Sequence, residues 1–217
     1  MPSANPSVPA RVTVTGTGRV TRPADLAQTV FVAEAVRQSA AEARAAAAAT
    51  AASVLTAVRG AGVPDADVQT AGLDLAPSWE HDGTRMVRTG FTVTNRIAVT
   101  VRDLEIVGRV LDAGLEAGAT GLEGVTFALA DLRKPEEDAR RAAVADARDK
   151  ATVIAEAAGG ALGPLVSIGE GVVATPYPRP AAKMAVLAAE DAPATPVLPG
   201  VVEVGVSLTA EWELVAG

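Results

Sequence analysis

Two stretches of this chain alternate between apolar and polar residues with a period of two, and that pattern limits the fold more than any other feature. In Val202–Leu214 the apolar set is Val202, Val204, Val206, Leu208, Ala210, Trp212 and Leu214, against Glu203, Ser207, Thr209, Glu211 and Glu213. In Phe91–Arg102, Phe91, Val93, Ile97, Val99 and Val101 oppose Thr92, Thr94, Arg96, Thr100 and Arg102. Successive side chains of a strand point to opposite faces, so each stretch buries one face and leaves the other to water or to a partner. An all-helical fold is excluded.

Between these strands lie three helical signatures. Ser39-Ala40-Ala41-Glu42 is a capping box, in which the serine hydroxyl takes the Glu42 N–H while the glutamate returns to the N–H of Ser39. The helix it opens puts Ala40, Ala47, Ala51, Val54, Leu55 and Val58 on one side and ends at Gly60 and Gly62. Asp103 caps a second helix, with Leu104, Val107, Leu111 and Leu115 at helical spacing before Gly118. Pro135, with Glu136, Glu137 and Asp138 offsetting the positive end of the dipole, opens a third. Glu136/Arg140, Glu137/Arg141 and Asp146/Lys150 then pair at four-residue spacing up to Gly159-Gly160. The predicted helices are Ser39–Arg59, Asp103–Ala117 and Pro135–Ala158.

The remaining strands are Arg11–Val20, with a bend at Gly16-Thr17-Gly18, then Leu26–Val36, Val68–Trp79, Leu122–Leu129 and Leu165–Val173. His81-Asp82-Gly83-Thr84 is a turn before the Phe91 strand. The order is β-β-α-β-β-α-β-α-β-β. Its middle, Leu26 to Leu129, is a ferredoxin-like βαββαβ. We therefore expect an α+β protein: one mixed, mainly antiparallel sheet of at least five strands, with helices packed on it. At 217 residues with no Ser/Gly-rich linker, one domain over residues 11–214 is the simplest division. Residues 1–10, with three prolines, read as a disordered tail, and 175–200 as a Pro/Ala-rich arm. Apolar residues are 49% but aromatics only 3%, so the core must be small aliphatics, which fill space only where helix and sheet approach closely.

Charge removes some functions. Lys and Arg are outnumbered 19 to 26, so no basic face is expected for nucleic acid or for an anionic membrane surface. With no cysteine there is no disulfide, thiolate nucleophile or Cys-ligated metal. The longest uncharged run, Ala45–Val58, falls short of the ~20 residues a spanning helix needs. The N-terminus has neither a basic nor an apolar leader region, which predicts a cytoplasmic protein, or a periplasmic or secreted one where a leader has been removed.

Candidate sites are few. Gly16-Thr17-Gly18 lacks a third glycine and a following helix, so it reads as strand geometry and not as a phosphate loop. His81, the sole histidine, reads as an exposed turn residue, and Glu136-Glu137-Asp138 as a solvated helix start. Thr92, Thr94, Arg96, Thr100 and Arg102 share one strand face and form the candidate ligand face, with the Trp79–His81 turn beside it. Met184, Val186 and Leu187, an apolar segment between prolines, are the candidate oligomer contacts. No catalytic, metal or cofactor set is expected.

Several segments carry a family resemblance in order along the chain. Val12-Thr13-Val14-Thr15-Gly16-Thr17-Gly18 with Pro23-Ala24-Asp25 resembles the opening strand of SIMPL-domain proteins. Asp67-Val68-Gln69-Thr70, Asn95-Arg96-Ile97-Ala98-Val99-Thr100-Val101-Arg102-Asp103-Leu104 and Ala145-Asp146-Ala147-Arg148-Asp149-Lys150-Ala151 are similar to later elements of that family. Leu162-Gly163 with Ser167-Ile168, and Pro199-Gly200, complete the series. The resemblance implies an α+β fold, homo-oligomerisation and bacterial envelope or oxidative-stress roles, and supplies no catalytic residues. A non-catalytic protein that assembles with itself is the leading expectation. A small-ligand-binding domain using the Arg96/Arg102 face is the alternative.

Overall fold

The computed structural model describes residues 10–81, 83–179 and 197–216. Its elements are β1 (Arg11–Pro23), β2 (Leu26–Arg37), α1 (Ala40–Gly60), β3 (Val68–His81), β4 (Met86–Val101), α2 (Val107–Glu116), β5 (Gly121–Ala128), α3 (Arg133–Ala157), β6 (Gly160–Arg179) and β7 (Val201–Ala216). Class and order match the sequence reading.

The single sheet of five or more strands does not form. There are two sheets, of order β3-β4-β2-β5 and β1-β7-β6, each antiparallel throughout where a mixed sheet was expected. Alternation reports that a strand has a buried face, and it is silent about which strand lies beside it. The chain accordingly divides into two compact units, one around each sheet.

The four-stranded unit is the predicted βαββαβ. Its order places the parallel pair β2 and β3 one strand apart with β4 between them, the split βαβ arrangement. Ser39 and Glu42 form the capping box of α1. Asp103 accepts the Glu105 N–H in a short 3-10 turn that leads into α2. Both helices cover the same face. Phe31, Ile97 and Val99 pack with Val54 and Val58 of α1 and with Val107, Val110 and Leu111 of α2. Leu115, expected on the buried stripe, is 45% exposed. Thr29, buried on this face, donates its hydroxyl to Gly124 O at 2.7 Å, beside the irregularity in the β2–β5 pairing.

In the three-stranded unit β1 and β7 pair from Arg11↔Glu213 to Pro23↔Val201 without a break. The bend predicted at Gly16-Thr17-Gly18 is absent. The glycines serve close approach: a Cβ on Gly16 would lie 2.2 Å from Ala143 O, and one on Gly18 1.9 Å from Ala139 O. The facing stripe of α3 is Ala139, Ala143, Ala147 and Ala151, all fully buried against Val12, Val14, Val206, Leu208 and Trp212. This is the small-aliphatic packing that the composition demands. The helix starts two residues before Pro135, where Asp131 accepts the Arg133 N–H at 2.9 Å. β6 is longer than predicted and takes up the first residues of the proposed arm as strand; at the arm's other end Val197 packs on the four-stranded core. Residues 180–196, including Met184, Val186 and Leu187, and residues 1–9 lie outside the described residues.

Candidate functional site

Thr92, Thr94 and Arg96 of the expected ligand face lie on the side of β4 away from the helices, where charge pairs and hydroxyl contacts occupy them. Arg96 lies between two carboxylates, Nη1 2.6 Å from Asp74 Oδ2 and Nε 2.9 Å from Glu123 Oε1. Thr94 donates to Glu34 Oε2 at 3.0 Å, and the hydroxyls of Thr92 and Ser78 are 2.6 Å apart. Arg102, just past the strand, leaves the row to grip both oxygens of Asp67 at 2.8–3.1 Å. It lines a separate small cleft with Thr100. Both guanidiniums are held more firmly protonated than usual, Arg96 by its bond to Glu123 and then Asp74, Arg102 by its bonds to Asp67. The structure thus joins Thr92, Thr94 and Arg96 but not Arg102, and each arginine already has an acid. An incoming anion would have to compete with those carboxylates.

The other sequence candidates fall into place singly. His81 is exposed at the end of β3, and its Nδ1 accepts the Gly83 N–H at 3.0 Å, a turn contact the sequence reading did not foresee. Glu136 pairs with Arg140 at 3.3 Å, Glu137 with Arg141, and Asp138 with Lys134 at 2.8 Å and Arg22 at 3.0 Å. Their charges are matched within the helix and with β1.

Two surfaces were missed. Along the β3–β4 hairpin Leu73, Leu75, Trp79 and Met86 are each 53–62% exposed. Leu73 and Leu75, with Val93, Ala40 and Ala41, wall a groove of about 340 Å³. β3 is an outer strand of its sheet, so its far edge is also unpaired among the described residues. The second surface is a groove of about 630 Å³ in the three-stranded unit, between α3 and the start of β6, with Trp212 in its lining. A signal for it was present: Arg148 has Val144 and Thr152 at its four-residue neighbours, so no helical partner was available.

Residues 12–212 match the family described as SIMPL, protein of unknown function (DUF541). The chain belongs to the SIMPL family. Among its relatives is the 26 kDa periplasmic immunogenic protein of Brucella abortus (strain S19), 32% identical over 216 residues, covering 95% of this chain and 85% of the relative. The uncharacterized protein YggE of Escherichia coli (strain K12) is 25% identical over 157 residues, 72% of this chain and 64% of the relative. YggE of Edwardsiella ictaluri is 26% identical over 159 residues, 72% and 66% of the two chains. Among the described residues no helix of this SIMPL protein is long and apolar enough to cross a membrane.

Proposed function

We propose that this SIMPL protein is a non-catalytic assembly protein whose copies associate through the β3–β4 hairpin. The observation that carries the reading is the exposure of Leu73, Leu75, Trp79 and Met86 along a pair of strands at a sheet edge. Exposed apolar clusters and open strand edges are costly in a lone molecule, and a second copy relieves both at once. Met184, Val186 and Leu187 are a second proposed contact, from their apolar character between prolines. In this reading the assembled protein serves the envelope or stress role that the family resemblance implies, and the name of the Brucella relative supports a periplasmic setting.

Native mass measurement tests it. The parent protein should be an oligomer at micromolar concentration. Leu75→Glu with Trp79→Glu should lower the mass while far-UV circular dichroism stays unchanged, and deletion of 181–192 tests the second contact separately. A monomeric parent across that range would remove the reading.

A further inference from the structure

The groove beside α3 owes its existence to the alanine stripe. The stripe, with Gly16 and Gly18, seats the helix on β1 and β7, while β6 is an outer strand with Leu165 half exposed. The resulting space of about 630 Å³ lies within the roughly 300–1,000 Å³ of small-ligand sites. Trp212, 7% exposed, and Leu162 and Leu165 give it apolar surface. The helix contributes one row at four-residue steps: Arg148, Thr152 and Glu156.

The charges on that row are unmatched. Arg133, Lys134, Arg140, Arg141 and Lys150 of α3 all have carboxylate partners. Among the described residues Arg148 has none, and Glu156 has no cation. Eight residues along a helix is about 12 Å, too far for the two to neutralise each other. A complementary ligand therefore carries an anion at one end, a cation about 12 Å away, and an apolar body between. Extended chain spans roughly 3.3–3.6 Å per residue, so three to four residues with free termini meet that spacing.

We propose that this groove binds a short apolar peptide with free termini, its carboxylate on Arg148 and its ammonium on Glu156. Guanidinium and carboxylate can pair through two parallel bonds, which fixes the direction of the chain. The Thr152 hydroxyl donates to Arg148 O at 2.9 Å, which leaves its oxygen free to accept a peptide N–H. The proposal uses residues of the three-stranded unit and does not depend on assembly through the hairpin.

Calorimetric titration of the full chain with the tetrapeptide Ala-Leu-Leu-Ala, free or with its ends acetylated and amidated, tests it. The free peptide should bind. Amidation, Arg148→Ala and Glu156→Gln should each weaken it at least tenfold, and Arg148→Glu with Glu156→Arg should restore binding of the reversed orientation. Every protein variant alters only the exposed side chains of Arg148 and Glu156, and circular dichroism checks that each folds. No heat up to millimolar peptide would overturn the proposal, as would equal binding of the blocked peptide. Octanoate binding as tightly as the peptide would reassign the groove to amphipathic anions. A fall in native mass on Arg148→Glu would reassign it to a second copy of the chain.

Discussion

Gly18 faces the backbone of Ala139 so closely that a Cβ at residue 18 would sit 1.9 Å from the Ala139 carbonyl oxygen. The obstacle is backbone, which cannot rotate aside as a side chain would. Gly18→Ala should therefore destabilise the protein by about 3 kcal/mol or more, at or beyond the upper end of ordinary overpacking. Gly72→Ala, where nothing lies within 4 Å, is the matched control. Urea denaturation should show a large fall in midpoint for the first and little change for the second.

Leu111, 5% exposed, fills the space between α2 and the four-stranded sheet, whereas Leu115 one turn later is 45% exposed. Leu111→Ala should cost about 2–5 kcal/mol through the lost burial and the cavity left behind. Leu115→Ala should stay within about 1 kcal/mol. Ser39→Ala removes the hydroxyl that caps α1 and should cost about 1 kcal/mol. Equal effects at Leu111 and Leu115 would contradict the placement of α2.

Acid should weaken the three-stranded unit in a defined window. Hydrogen bonds from Arg133 pull the Asp131 carboxyl from 3.8 down to about 2. Asp138 is lowered chiefly by Lys134, and Asp146 by Lys150 and then the Thr17 N–H. These carboxylates hold protons less readily folded than unfolded, so their contribution is complete above the unfolded value and lost as pH falls through the folded one. The share carried by Asp131 should be flat above pH 3.8 and decline towards about 2, and the shares of Asp138 and Asp146 should likewise be lost only on the acid side of their ordinary value. Asp146→Asn should shallow that decline, and an unchanged slope would remove Asp146 from the explanation.

The two units should nonetheless unfold together. β1 and α3 belong to one unit, yet the intervening Ala24–Leu129 folds in the other. Were that stretch of roughly 100 residues to unfold alone, it would become a flexible loop whose closure costs about 4 kcal/mol. That is a large part of the ~5–15 kcal/mol by which domains are stable. Trp79 reports one unit and Trp212 the other, so in the Trp79→Phe protein, and again in the Trp212→Phe protein, fluorescence of the remaining tryptophan and far-UV circular dichroism should give the same midpoint. Separate midpoints would show two independent folding units.

Element order was legible because each helix carries its own punctuation. Ser39 and Glu42, Asp103 with Gly118, and the paired charges of the third helix all act within a few residues. Sheet partnership was not, because Arg11 and Glu213 meet from opposite ends of the chain and alternation names no neighbour. The same distance hid the chemistry of Arg96, whose acids Asp74 and Glu123 lie far off in sequence and arrive only through folding. Gly16 and Gly18 advertise a missing side chain in any context, so a strand bend and a close helix contact look alike until the helix is in place. Arg148 is the opposite case: its four-residue neighbours Val144 and Thr152 carry no charge, so its lack of a partner within the helix is visible in the sequence alone.

The buried alanines of α3, Ala139, Ala143, Ala147, Ala151 and Ala155, recur every fourth residue. A helix repeats about every 3.6 residues, so this row is inclined to the axis by roughly 26°. Insertion of one residue after Ala147 would turn the remainder by about 100° and bring Lys150 and Ile154 into the row. Insertion of four would keep the row and extend it by about 6 Å. The length of this helix can therefore drift only in whole steps of four, and a naturally shortened or lengthened relative should differ here by four residues or multiples of it.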